Sequence, residues 1–206
     1  MRLFGTNVVK LKGKGDVAGL IRALSHKDWS VRIDAAKALG ELGDERALEP
    51  LITLLSEAEK APMFGKVEMQ GGGFAAAEPG PGLLGPSAAA EAIMKIAQGS
   101  AARLSTVLST THSTSLKVDA AAALARSGDR RGVGALVELL MKHEDWEIRR
   151  RIAEALGEVG DARAAVILEP LAKDWHREAL RRGETEMIRA STAAERAVAA
   201  IRGRDA

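Results

Sequence analysis

Residues 28 to 47, DWSVRIDAAKALGELGDERA, return at residues 145 to 164 as DWEIRRRIAEALGEVGDARA, with twelve of twenty positions identical and no gap. This internal repeat constrains the fold more than any other feature, because each copy must be one structural unit that completes its core against its neighbours. Asp28 suits the N-cap of a helix, where a carboxylate accepts the free amides of the first turn, and Gly43 with Asp44 suits its end. Between them Val31, Ala35, Leu39 and Leu42 recur at spacings of four, four and three, which draws one apolar stripe down a helix. After Asp44 a second stripe runs through Leu48, Leu51, Ile52 and Leu55. The predicted unit is two helices joined by a tight turn.

A third copy lies in LKVDAAAALARSGDRRGVGALVELL, where Asp129 stands in the place of Asp44 and Asp161. From Asp129 to Asp161 is 32 residues, whereas Asp44 to Asp129 is 85, so an insertion separates the first copy from the others. Residues 61 to 86 fit it, with four of the six prolines and seven of the 21 glycines, and no helix is expected to run through them. Reading outward gives a lead-in over 1–15 and repeats over 16–203. The second helices of five hairpins are predicted near 29 to 43, 87 to 98, 114 to 127, 145 to 159 and 185 to 202, with the insertion inside the second repeat.

Abundant alanine, no tyrosine and 3% aromatics favour closely packed helices over sheet, so the class is all-α. Without cysteine there is no disulfide framework, thiolate nucleophile or thiolate zinc site. The first residues lack the apolar core of a secretory signal, and no run of about 18 apolar residues offers a membrane span. The chain reads as cytoplasmic, with no membrane partner. The formal charge is +2, and from Arg126 onward 16 basic residues face 15 acidic ones, which speaks against nucleic acid as the partner.

The pattern D-x-x-V-R-x-x-A-A-x-A-L-G-x-L-G-D at Asp28 to Asp44 resembles the HEAT repeat, in the short form named after phycobilisome lyases. The resemblance covers most of residues 16 to 203. It implies a right-handed α-solenoid of about five HEAT-like hairpins whose second helices line a concave face, while the long insertion departs from the family pattern. It also implies that Arg32, Lys117 and Arg149 pair with Asp44, Asp129 and Asp161 of neighbouring repeats to set the stacking register. Two functions come with it: a protein- or peptide-binding scaffold, or a bilin lyase-like subunit or chromophore chaperone.

Motifs for catalysis are sparse. His26, His112, His143 and His176 show no i, i+4 pairing, so no helix presents a pair of histidines to a metal on adjacent turns, and no metal site is predicted. A HEAT-repeat iron hydroxylase needs several His-Glu dyads, and His143-Glu144 stands alone. RLSTVLSTTHSTS brings Ser105, Ser109, Ser113 and His112 together without the elbow or orienting carboxylate of a hydrolase, and reads as a polar helix end and turn. QGGGF lacks the strand, helix and lysine of a phosphate cradle. The expectation is a non-catalytic chain with no cofactor.

The differences between the two copies carry the binding expectation. Ser30, Ile33, Asp34 and Lys37 become Glu147, Arg150, Arg151 and Glu154, one helical stripe opposite the core. In the resemblance this is the concave face, so Ile33, Asp34, Lys37, Arg150, Arg151 and Glu154 are candidate partner contacts; unconstrained surface drift is the competing reading. Trp29 and Trp146, each just after its Asp cap, either cover the end of the preceding hairpin or anchor a partner. Residues 61 to 86 carry Met63, Phe64, Met69 and Phe74 among few charges, more apolar than a solvated linker. They are expected either to dock as a lid or clamp at the groove or to be a tolerated surface insertion.

Overall fold

The computed structural model describes residues 5–62 and 81–204, and every regular element among them is helical. The chain divides into two compact units, residues 1–113 and 114–206. In the first, α1 (Gly5–Gly13) and α2 (Val17–Ala23) precede α3 (Trp29–Leu42), a 3-10 turn (Glu45–Ala47), α4 (Leu48–Lys60), α5 (Pro81–Ala97) and α6 (Ala101–Thr110). The second holds α7 (Thr114–Arg126), α8 (Arg130–Lys142), α9 (Trp146–Val159), α10 (Ala162–Arg182) and α11 (Thr185–Arg202). The all-α class is thus observed, and α3, α7, α9 and α11 occupy four of the stretches predicted for second helices.

The repeated residues act at both ends of each copy. The Asp28 carboxylate accepts the Ser30 N–H and hydroxyl at 2.9 Å each, and that of Asp145 accepts the Ile148 N–H at 3.0 Å, satisfying amides that have no partner inside the helix. Gly43 and Gly160 then stop the helices at φ 70° and 77°, left-handed geometry that a Cβ disfavours by roughly 1–2 kcal/mol.

In the first unit α5 packs on both α3 and α4, and in the second α11 packs on both α9 and α10. Leu20, Leu39, Leu51, Ile93 and Ile96 are fully buried in the first unit, and Leu136, Leu140, Ile152, Leu156 and Leu168 in the second, each contributing roughly 2–3 kcal/mol through apolar burial. Val31, Ala35 and Leu39 of the predicted stripe are buried, but Leu42 is 37% exposed. It is the last residue of α3, beside Gly43, where the chain turns out of the helix.

Glycine inside the repeat has a packing reason. A Cβ on Gly40 would come within 2.8 Å of the Ala92 Cα on α5, and one on Gly157 within 2.8 Å of the Ala197 Cα on α11. Only a hydrogen at these positions lets the two backbones approach so closely, so α3 touches α5, and α9 touches α11, at a glycine–alanine pair.

The insertion is shorter at its C-terminal side than expected. α5 begins at Pro81 rather than near residue 87, with Pro86 inside it. Proline at the first helical position forfeits only an N–H that lacks an intrahelical partner. Gly85 then lets the helix start lie on α4, where a Cβ would stand 2.9 Å from the Ala58 Cβ, with the Trp29 ring 3.5 Å away. The Gly82 N–H donates to the Pro62 carbonyl at 3.0 Å, which ties the chain before residue 63 to the chain after residue 80. Met63, Phe64, Met69 and Phe74 lie outside the described residues.

Paired glycine substitutions test the close approach. Gly157→Ala is expected to destabilise the protein by about 1–3 kcal/mol through overpacking, whereas Gly134→Ala on α8, where a Cβ meets nothing within 4 Å, is expected to stabilise it by about 0.5–1 kcal/mol through helix propensity. Urea denaturation of the two variants checks the opposite signs; equal effects would remove the special role of Gly157.

Candidate functional site

The start of each copy is a seven-residue device, HKDWSVR at 26–32 and HEDWEIR at 143–149. In the second copy the Arg149 guanidinium lies 4.5 Å from the centre of the Trp146 ring and 5.4 Å from that of Trp175, while its Nε donates to the His143 carbonyl at 2.6 Å. The two indoles meet edge to face at 5.6 Å, and Trp175 is buried. Burial of Arg149 pushes its pKa down from the usual guanidinium value, a cost offset by cation–π attraction and the carbonyl bond. In the first copy Arg32 lies 4.5 Å from the Trp29 ring centre, donates Nε to the His26 carbonyl and bonds Glu57 at 2.8 Å. Both tryptophans are half-buried with one face engaged inside their own unit.

These contacts correct the arginine–aspartate pairing expected between repeats. Asp44, Asp129 and Asp161 cap the elements that follow them and are each gripped by the arginine two residues on, Arg46, Arg131 and Arg163, at 2.7 Å in every case. A cap carboxylate with its own Asp-x-Arg guanidinium over it has no need of a distant cation, and Arg32 and Arg149 are committed to carbonyl and indole. The guanidiniums of Arg46 and Arg131, followed by backbone N–H bonds, hold the Asp44 and Asp129 carboxyls down at about 2. The spacing G-D-x-R stands in all three copies and was the available signal.

Of the stripe residues, Asp34 and Lys37 are exposed on α3 and Ile33 is half-buried beside them. On α9, Arg150 is held between Glu147 and Glu154, which are three residues before it and four after it. Its guanidinium in turn keeps the Glu147 carboxyl below the usual carboxylate range. Arg151 reaches across to α7, donating to the Ser115 hydroxyl and the Asp119 carboxylate at 2.6 Å each. The structure therefore brings Arg150 and Glu154 together and directs Arg151 to the next helix.

Arg150 and Glu154 form one wall of a groove of about 720 Å³ between α9 and α11. Its narrow part is the Gly157–Ala197 contact, from which Ala193 and Ala200 extend the floor. The opposite wall presents Ile188, Arg189 and Arg196, and Arg204 stands at one end, its guanidinium donating to the Glu158 carbonyl at 2.8 Å. Alanine positions on α11 gave no sign of a groove in the sequence, because a small-residue face also fits a buried helix. Among the described residues no three His, Asp or Glu side chains lie close enough to hold a metal, and no helix is long and apolar enough to cross a membrane.

Trp146→Ala is expected to lower stability by about 2–4 kcal/mol, because it removes the indole that covers both Arg149 and Trp175. A thermal melt of the variant checks this. An unchanged midpoint would mean that the fold does not depend on the ring.

A family model described as HEAT repeats matches residues 10–62 and 101–189, more than half of the chain. The unmatched stretch between them, 63–100, contains all but the first two residues of the insertion, and α5. No curated protein matches the chain. The repeated caps, the helix pairs they delimit and the extent of this match show that the chain belongs to the HEAT-repeat family.

Proposed function

We propose that this chain is a non-catalytic scaffold that binds another protein or a peptide through the outward faces of its second helices. One observation carries the reading: the α9–α11 groove, whose floor is kept shallow by Gly157 and Ala197 and whose walls carry side chains that differ from the matching positions of the first copy. A repeat that holds its core constant and varies this stripe supplies different recognition chemistry from the same framework, and HEAT repeats commonly serve as interaction scaffolds. Ile33, Asp34 and Lys37 on α3, and Arg150, Arg151 and Glu154 on α9, are assigned to that surface. Trp29 and Trp146 flank it at the helix starts, with the exposed part of each half-buried ring offered to a partner. The segment containing Met63, Phe64, Met69 and Phe74 is assigned to the same partner as a clamp, on the grounds of its apolar content and of the Pro62–Gly82 bond at its base. We place the repeats in the short phycobilisome-lyase type, and the protein in the cytoplasm.

The test begins with a partner recovered by affinity capture from native lysate and purified. Ala200→Trp, which fills the exposed floor of the groove whatever the charge of its occupant, and Lys37→Glu are expected to weaken its binding about tenfold or more, roughly 1.4 kcal/mol, while leaving the melting temperature in place. Replacing residues 63–80 with a short Gly-Ser linker is expected to preserve helix content and reduce affinity. Binding that survives all three changes would remove the second-helix surface and the clamp from the reading.

A further inference from the structure

Subtracting the charges already matched inside the protein shows what the α9–α11 groove lacks. On its α9 wall, Glu147 and Glu154 both bond Arg150, and the Glu158 carboxylate bonds Arg126 at 3.0 Å. Each lining carboxylate is therefore matched to a guanidinium. On the α11 wall Arg189 is paired with Glu186, one turn before it, at 2.7 Å. Arg196, exposed on the same wall, makes no hydrogen bond or ion pair with any of the described residues. Arg204 bonds only a neutral acceptor among them, the Glu158 backbone carbonyl. Among the described residues, the two lining charges without a counter-charge are both cationic, and they stand at the α11 side and the end of the groove.

We infer that the groove takes an acidic helical segment of the partner, lying on the Ala193–Ala197–Ala200 floor with carboxylates directed to Arg196 and Arg204. This deepens the scaffold reading and rests on it. The small floor residues allow a second backbone to approach closely, as Gly157 and Ala197 already do with each other. Arg196 lies on α11 and Arg204 two residues past its last residue, Arg202, so their guanidiniums mark the side and the end of the groove, and carboxylates about two turns apart on a facing helix, roughly 11 Å, are directed to both. The polarity of the walls sets the orientation: an acidic flank is drawn to α11 and repelled by the two glutamates that share Arg150 on α9.

The probe is a fluorescein-labelled, alanine-rich helical peptide with glutamates about seven residues apart, compared by anisotropy at low salt with the same peptide carrying lysine or glutamine there. The glutamate peptide is expected to bind saturably and the other two at least about tenfold more weakly. Arg196→Glu is expected to weaken the glutamate peptide by about tenfold, and Arg177→Glu, the same charge change at an 81% exposed side chain on α10, to change it by less than about twofold. Equal weakening by both variants, or no preference for glutamate over lysine, would overturn the acidic occupant. If the peptide fails while Ala200→Trp still releases the captured partner, only the acidic occupant falls. If Ala200→Trp also leaves the partner bound, the groove falls as the binding surface along with it.

Discussion

The contact of Gly157 with Ala197, matched in the other unit by Gly40 with Ala92, sets the helix spacing on which the rest of the structure depends. A helical hairpin has more apolar face than it can cover alone, so α3 and α9 each need a neighbour drawn close. A side chain as small as a methyl at residue 40 or 157 would hold that neighbour off and open voids around Leu39 or Leu156. Close approach on the core side also leaves the outward edges of the paired helices to diverge, and the α9–α11 groove is the space between them. One glycine thus serves both the core and the surface proposed to bind.

Polar groups are arranged so that this packing leaves none of them stranded. Aspartate caps satisfy the first amides of the helices, left-handed glycines end the two copies, and arginines tie indole faces to carbonyls that precede the caps. Among the described residues no buried side-chain nitrogen or oxygen lacks a hydrogen-bond partner. The ion pairs on the exposed faces contribute little each, about 0–1 kcal/mol. Their consequence is electrostatic matching: the carboxylates of the α9 wall are consumed internally, and unmatched positive charge is left on α11.

Much of the fold was legible in the sequence because helix signals are local. The caps at Asp28 and Asp145 and the stops at Gly43 and Gly160 mark α3 and α9 to within a residue of their observed ends. What was not legible depended on contacts between elements. Proline and glycine at 81–86 read as loop, yet α4 and Trp29 give the start of α5 a surface to lie on. Leu42 fits the stripe by spacing but is the last residue of α3, where the chain leaves the helix at Gly43. Arg32 and Arg149 occupy the position where the family resemblance implies aspartate partners, and the indoles three residues before them took the guanidiniums instead. The binding stripe was half legible: its positions follow from comparing the copies, whereas Arg196 and Arg204 belong to α11 and the chain just after it, which lie outside the clear repeats.

Carboxyl footprinting of the protein with and without its purified partner tests the assignment of recognition to the second helices most directly. If the outward faces of α9 and α11 bind, the partner protects Glu147 and Glu154 from labelling and leaves Glu138 on α8 and Asp174 on α10 as reactive as before. Protection of Glu138 and Asp174, with Glu147 and Glu154 unchanged, would place recognition on the first helices and contradict the scaffold surface proposed here.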